Sequence, residues 1–142
     1  SPDVVIEIVS NTIGNELGSK LEDYVIAGVG YYVVFDPFQY LSEDLLRVYE
    51  RRGMSYHLKP NYLLEEIDLG LTLWSGEFEG SSYEHWLRWC DLSGNLFLTG
   101  DEKFEIEKQR AEVEKQRADA EKQRADRLSQ LLREQGIDPD TL

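Results

Sequence analysis

The sequence predicts an α/β fold, in which a mixed sheet with a β-α-β crossover and antiparallel hairpins is followed by a long charged C-terminal helix. Three features predict it. Two nearly continuous apolar runs, VVIEIV from Val4 and YYVVF from Tyr31, flank a stretch with helical spacing. Two shorter runs meet at Arg52-Gly53, as hairpin strands do. Beyond Gly100 a seven-residue repeat runs without glycine or proline until Gly136.

In chain order, residues 3–9 read as a central strand covered on both faces, because the apolar run barely alternates. Asp3, Val5 and Glu7 share one side of it. Ser10 to Asn15 supply turn and cap residues, and Gly14 breaks the pattern. Leu17, Leu21, Tyr24, Val25 and Gly28 recur at helical spacing and predict a helix over residues 17–27. YYVVFDP is a second parallel strand, ended where Pro37 stops the ladder. LLRVYERRGMSYHLK predicts an antiparallel hairpin that extends the sheet. Leu63, Leu64 and Ile67 suit a helical turn, and LGLTLW suits an edge strand before the turn-rich Gly76–Ser82 segment. WLRWCD and LFLTG, joined by Leu-Ser-Gly-Asn, read as a further hairpin.

The tail carries EKQRAEV, EKQRADA and EKQRADR from Glu107, Glu114 and Glu121. A helix from Glu102 to Gln135 spans about 50 Å at the usual rise. Phe104, Ala111, Ala118, Ala125 and Leu132 share one heptad position, while Ile106, Val113 and Ala120 sit two residues further on. That is a weak coiled-coil seam. Pairs such as Glu107 with Arg110 each add about 0.2–0.5 kcal/mol and together support a solvated helix. Gly136 suits a C-cap, with Pro139 beyond it. Residues 1–100 are therefore expected to be one domain and residues 101–142 a helical tail.

Composition narrows the function classes. The chain has 142 residues, 41% hydrophobic and 30% charged, which suits one modest core with an appendage. No apolar run reaches the roughly 20 residues of a membrane span, so no membrane partner is expected. Cys90 is the lone cysteine, which rules out an intrachain disulfide and a thiolate zinc cluster and makes the cytoplasm the default compartment. The net charge of −13 divides into −10 over residues 1–100 and −3 over the tail. Neither part has the basic stripe expected of a nucleic-acid binder, which counts against DNA binding. The chain opens at Ser1-Pro2-Asp3 on a core strand without a Met, so upstream sequence is expected to precede it.

Charge inside the first strand marks the candidate site. A buried carboxylate without a partner costs several kcal/mol, so Glu7 calls for a metal ion, backbone donors or a lysine. Phosphodiester hydrolysis uses a carboxylate-bound divalent cation to activate water, and a cation to neutralise the phosphate. Asp3, Glu7 and Lys20 supply those group types around one βα turn. On a straight strand the Cα atoms of Asp3 and Glu7 lie about 13 Å apart, which makes Glu7 the surer metal ligand. Asp3 serves as a second ligand only across a distortion, and otherwise as a strand-start residue. Lys20 borders the helix face that packs on the sheet, either as a surface lysine or with its ammonium returned to Glu7. His57 and His85 stand alone. Trp74, Trp86 and Trp89 suit hairpin packing better than base stacking, and Cys90 suits inert core.

PDVVIEIVS, Lys20 and Tyr24 in KLEDY, and GVGYYVVFDP together resemble the Uma-two family of restriction endonucleases, within the PD-(D/E)xK nuclease superfamily. The likeness covers about residues 2–100. It implies a restriction-endonuclease-like α/β core, a divalent metal, magnesium or manganese, and DNA as the substrate. Glu7 matches the second acidic position. Val9 stands where the superfamily's lysine falls, and Lys20 is its natural replacement on the following helix. Catalysis is accordingly assigned to Glu7, Lys20 and Asp3, and metal binding to Glu7 and Asp3. The superfamily's first Asp sits on a preceding strand, so the chain resembles an N-terminally truncated member. The competing expectation is an idle nuclease-like domain that serves as an interaction module through its tail. A homodimer is expected through either the core or the tail.

Overall fold

The computed structural model describes residues 1–12 and 17–141, so the expected turn at Gly14 and Asn15 lies outside the described residues. Within them the strands are β1 (Val4–Ile8), β2 (Tyr31–Phe35), β3 (Leu46–Arg52), β4 (Ser55–Leu58), β5 (Leu63–Leu64), β6 (Leu69–Phe78) and β7 (Ser81–Cys90). The helices are α1 (Ser19–Ile26) and α2 (Gly100–Glu134). Two units emerge, Ser1–Phe97 and Leu98–Leu142.

In the first unit β2 is the organising strand, with all five residues buried. It pairs in parallel with β1 and antiparallel with β3, in a sheet ordered β1-β2-β3-β4. Its alternating side chains build two separate cores. Tyr31, Val33 and Phe35 pack with Leu46 and Val48 against Leu64 and Leu71 of a second sheet, ordered β5-β6-β7. Tyr32 and Val34 face the other way, with Val9, against Leu21 and Tyr24 of α1. Burial on both faces explains why YYVVF contains no charged residue, and the buried Tyr31 hydroxyl is satisfied by accepting from the Glu66 N–H at 3.1 Å.

The same logic corrects the position of β1. It has the near-continuous apolar sequence of a central strand, yet among the described residues it pairs only with β2 and lies at the sheet edge. Hydrophobic continuity reports cover above and below a strand, whereas lateral position depends on pairing. Val4 and Ile6 join the first core and Val5 the second, while Ile8 at the strand's end is 64% exposed.

Helix α1 is shorter than the expected 17–27 and ends at a defined stop. The Gly28 N–H donates to the Val25 carbonyl at 3.2 Å and the Val29 N–H to the Tyr24 carbonyl at 3.1 Å. This is the double bond of a Schellman terminus, which places Gly28 at φ +81°, a conformation favouring glycine. Gly28 therefore ends the helix instead of extending its apolar stripe.

The expected β3-β4 hairpin is present, with its turn at Gly53-Met54, one residue beyond the Arg52-Gly53 that the sequence predicts, because Arg52 still pairs with Ser55. Residues 60–90 depart from expectation. Leu63 and Leu64 form a short strand followed by one 3-10 turn, Glu65–Ile67. LGLTLW is the middle strand of its sheet, not an edge, and β6 runs on through Phe78 into a tight turn at Glu79-Gly80. WLRWC pairs with LGLTLW rather than with LFLTG, which contributes an isolated bridge from Leu96 to Cys90. Two ten-residue strands offer many more ladder bonds than a five-residue return, so the longer hairpin prevails.

In the second unit α2 starts two residues before the expected Glu102. Thr99 caps it: its Oγ1 accepts from the Glu102 N–H at 3.2 Å, and Glu102 Oε1 accepts from the Thr99 N–H at 3.1 Å. This reciprocal box satisfies two of the helix's orphan donors, a contribution of about 1 kcal/mol. Glu107–Arg110, Glu114–Arg117 and Glu121–Arg124 lie on α2, where no residue is buried. At the C-terminus the Ile137 N–H bonds to the Leu132 carbonyl at 2.9 Å and the Gly136 N–H to Arg133 at 3.0 Å, with Gly136 at φ +77°. The predicted glycine cap is thus in place.

Candidate active site

Glu7 lies on β1 opposite Val34 of β2, on the same strand face as Val5 and Val9, and so faces α1. Helix α1 answers with two residues one turn apart, Lys20 and Tyr24, which share a face by their four-residue spacing. The Tyr24 hydroxyl donates to Glu7 Oε1 at 2.7 Å. Lys20 Nζ stands 3.4 Å from Glu7 Oε2. Each carboxylate oxygen therefore meets a different helix residue. The Glu7 side chain is 22% exposed and that of Lys20 37%, so the pair sits at the border of the core, open to a ligand.

Tyr24 is fixed by its ring. It packs on Tyr32 at 5.1 Å between centroids, and Tyr32 in turn contacts Tyr49 and Tyr56. The Tyr56 hydroxyl anchors this cluster to the Val29 carbonyl at 2.8 Å. The hydrogen bond to Glu7, reinforced by burial, holds the Tyr24 phenol above its usual pKa, so it remains a neutral donor through the physiological range. In the sequence Tyr24 falls on the apolar stripe of α1, which conceals its hydroxyl. The available signal was the i, i+4 spacing from Lys20. Tyr24→Phe is expected to leave Glu7 Oε1 without its donor and to cost about 1 kcal/mol, checked by urea denaturation against wild type.

Asp3 does not join this group. It is exposed and precedes β1, and its carbonyl accepts from the Tyr31 N–H at 2.9 Å. The register of β1 on β2 is unbroken from Val4 to Ile8, so no distortion draws Asp3 toward Glu7. Among the described residues no three His, Cys, Asp or Glu side chains are grouped to hold a metal ion. Glu7 itself suits a hard divalent cation, which takes one or two carboxylates and fills its shell with water and phosphate oxygens. Asp3 does not fit as a second ligand to the same ion.

The other conspicuous residues have structural surroundings. Asp36 is buried, and its carboxylate accepts from the Tyr40 and Leu41 N–H groups at 2.9 and 2.8 Å. His57 is exposed beside Ser55. Trp86 packs against Phe78 and Tyr83 on the β6-β7 hairpin, and Arg88 lies 4.7 Å from the Trp74 ring. Cys90 is buried, and burial pushes its thiol pKa up, away from the reactive thiolate.

The Uma2 family, described as "Putative restriction endonuclease", matches residues 1–80. The chain belongs to the Uma2 family. The match covers β1, α1 and β2, and therefore the whole Glu7–Lys20–Tyr24 group. The mixed sheet with its β-α-β crossover, the antiparallel hairpins and the long terminal helix agree with the restriction-endonuclease-like architecture that membership implies. Comparison with curated proteins and with solved structures found no match. No helix among the described residues is long and apolar enough to cross a membrane.

Proposed function

We propose that this Uma2 chain is a divalent-metal-dependent endonuclease that hydrolyses phosphodiester bonds in DNA, with residues 1–100 as the nuclease portion and residues 101–142 as a helical tail. The observation that carries the reading is the convergence of Glu7 from β1 with Lys20 and Tyr24 from α1. A carboxylate and an ammonium held together at the border of the core are the two charge types this hydrolysis needs.

Glu7 would hold the ion, magnesium or manganese, which when bound activates the attacking water and offsets charge on the phosphate. Lys20, already beside that carboxylate, would place its ammonium against a phosphate oxygen as negative charge builds there. Tyr24 positions Glu7 by fixing one of its oxygens. Water adds to phosphorus, the P–O ester bond breaks, and the departing oxygen takes up a proton.

Nicking of supercoiled plasmid with magnesium or manganese tests the reading. Cutting is expected with either ion and is expected to stop on chelation. Lys20→Ala should slow it by on the order of a hundredfold, and Lys20→Arg by less, since the charge is retained. Cutting that survives chelation, or that Lys20→Ala leaves unchanged, would overturn the assignment. The single carboxylate in the group favours a second reading, an idle domain acting through its tail. Absence of cutting with either ion would select it.

A further inference from the structure

Helix α2 has no buried residue, yet its side chains are not distributed as on a simple solvated rod. Taking Ile106 as position a of a heptad places Val113 and Ala120 at the following a positions and Gln109, Gln116 and Gln123 at d. Ile106, Gln109 and Val113 line one shallow depression on the helix surface, and Val113 is 62% exposed. The flanks of this seam are sorted by charge. Along the Ile106–Val113–Ala120 stretch the g positions are acidic, Glu105, Glu112 and Asp119, and the e positions that face them are arginine, Arg110, Arg117 and Arg124; the seam ends where Arg127 takes the next a position.

We infer that α2 pairs with α2 of a second copy of this chain, as a parallel, in-register two-stranded coiled coil along the Ile106–Val113–Ala120 seam. The charge pattern selects both occupant and orientation. In a parallel pair each g residue meets the e residue five positions on in its partner, so Glu105 meets Arg110, Glu112 meets Arg117 and Asp119 meets Arg124, each pair formed twice. An antiparallel pair sets acid against acid and arginine against arginine. The alternative stripe, Phe104, Ala111, Ala118 and Ala125, is bordered by cations on both sides, with Arg110, Arg117 and Arg124 at one edge and Lys108, Lys115 and Lys122 at the other. It repels itself in either orientation. Glutamine at d makes the association weak and reversible, and the flanking charges set its partner.

Charge reversal in the full chain tests this without relying on any activity. Wild type is expected to double its mass with concentration in sedimentation equilibrium. A triple variant Arg110→Glu, Arg117→Glu, Arg124→Glu should be monomeric, and so should Glu105→Lys, Glu112→Lys, Asp119→Lys. An equimolar mixture of the two should form a one-to-one dimer. In a Cys90→Ala background, oxidation should cross-link Gln116→Cys into a covalent dimer and leave Ala118→Cys, on the outer face, monomeric. A monomeric wild type, a triple variant that dimerises alone, a mixture that stays monomeric, or cross-linking of Ala118→Cys equal to that of Gln116→Cys would each overturn the inference.

Discussion

Asp36→Ala is expected to destabilise the sheet-bearing unit by about 3 kcal/mol, from two lost hydrogen bonds to a carboxylate at 1.5 kcal/mol or more each. Asp36 is 1% exposed at the end of β2, and it organises the connection to β3. Its carboxylate accepts from the Tyr40 and Leu41 N–H groups, its own N–H donates to the Leu45 carbonyl at 2.7 Å, and its carbonyl accepts from Gln39. Alanine keeps the last two bonds and leaves two inward-pointing N–H groups without an acceptor. Asp36→Asn keeps one acceptor oxygen and should cost about half as much. A loss of 3 kcal/mol is a large part of the 5–15 kcal/mol typical of a domain, so the urea midpoint should move clearly. A loss below about 1 kcal/mol would show that water replaces the carboxylate at these groups.

The Asp36-Pro37 pair also shows what a sequence conveys and what it conceals. Proline announced the end of β2, and the strand stops at Phe35. That the aspartate binds the loop after it depends on residues four and five positions on, which adopt no regular pattern. The β-α-β crossover and the β3-β4 hairpin were legible because local periodicity and turn residues specify them. The lateral place of β1 and the pairing of β6 with β7 were not: a strand's own apolar pattern does not name its neighbours, and the tight turn at Glu79-Gly80 lies inside Gly76–Ser82, a stretch whose small and polar residues read as a longer loop. The Thr99–Glu102 capping box is present in the sequence as Thr-Gly-Asp-Glu, but the LFLTG run before it has the pattern of a strand.

The site divides in the same way. Glu7 stood out because a carboxylate interrupts an apolar strand. Spacing puts Lys20 on the border of the helix face without deciding between solvent and Glu7, and the structure sets its ammonium 3.4 Å from Glu7. Tyr24 was hidden by its own ring, which fits an apolar stripe as well as any hydrophobe. Asp3 shares a strand face with Glu7 in sequence but is separated from it by the length of a regular strand.

Glu7→Gln carries the largest expected effect on activity. Glutamine has the same shape, and its amide oxygen can still accept from Tyr24. The negative charge is lost, and with it the carboxylate for a hard cation and the counter-charge of Lys20. The ion pair is partly exposed, and its loss should cost stability no more than about 1 kcal/mol. Activity should fall by on the order of a hundredfold or more, since the charge acts on the reacting phosphate. A structural role for Glu7 would produce the opposite balance, a marked loss of stability with activity falling only as the fold does.

Side-by-side nicking of supercoiled plasmid by wild type and Glu7→Gln, with magnesium or manganese and at a temperature where both are folded, tests the account most directly. Wild type should relax the plasmid while Glu7→Gln leaves it supercoiled. Equal cutting by the two proteins would contradict the account.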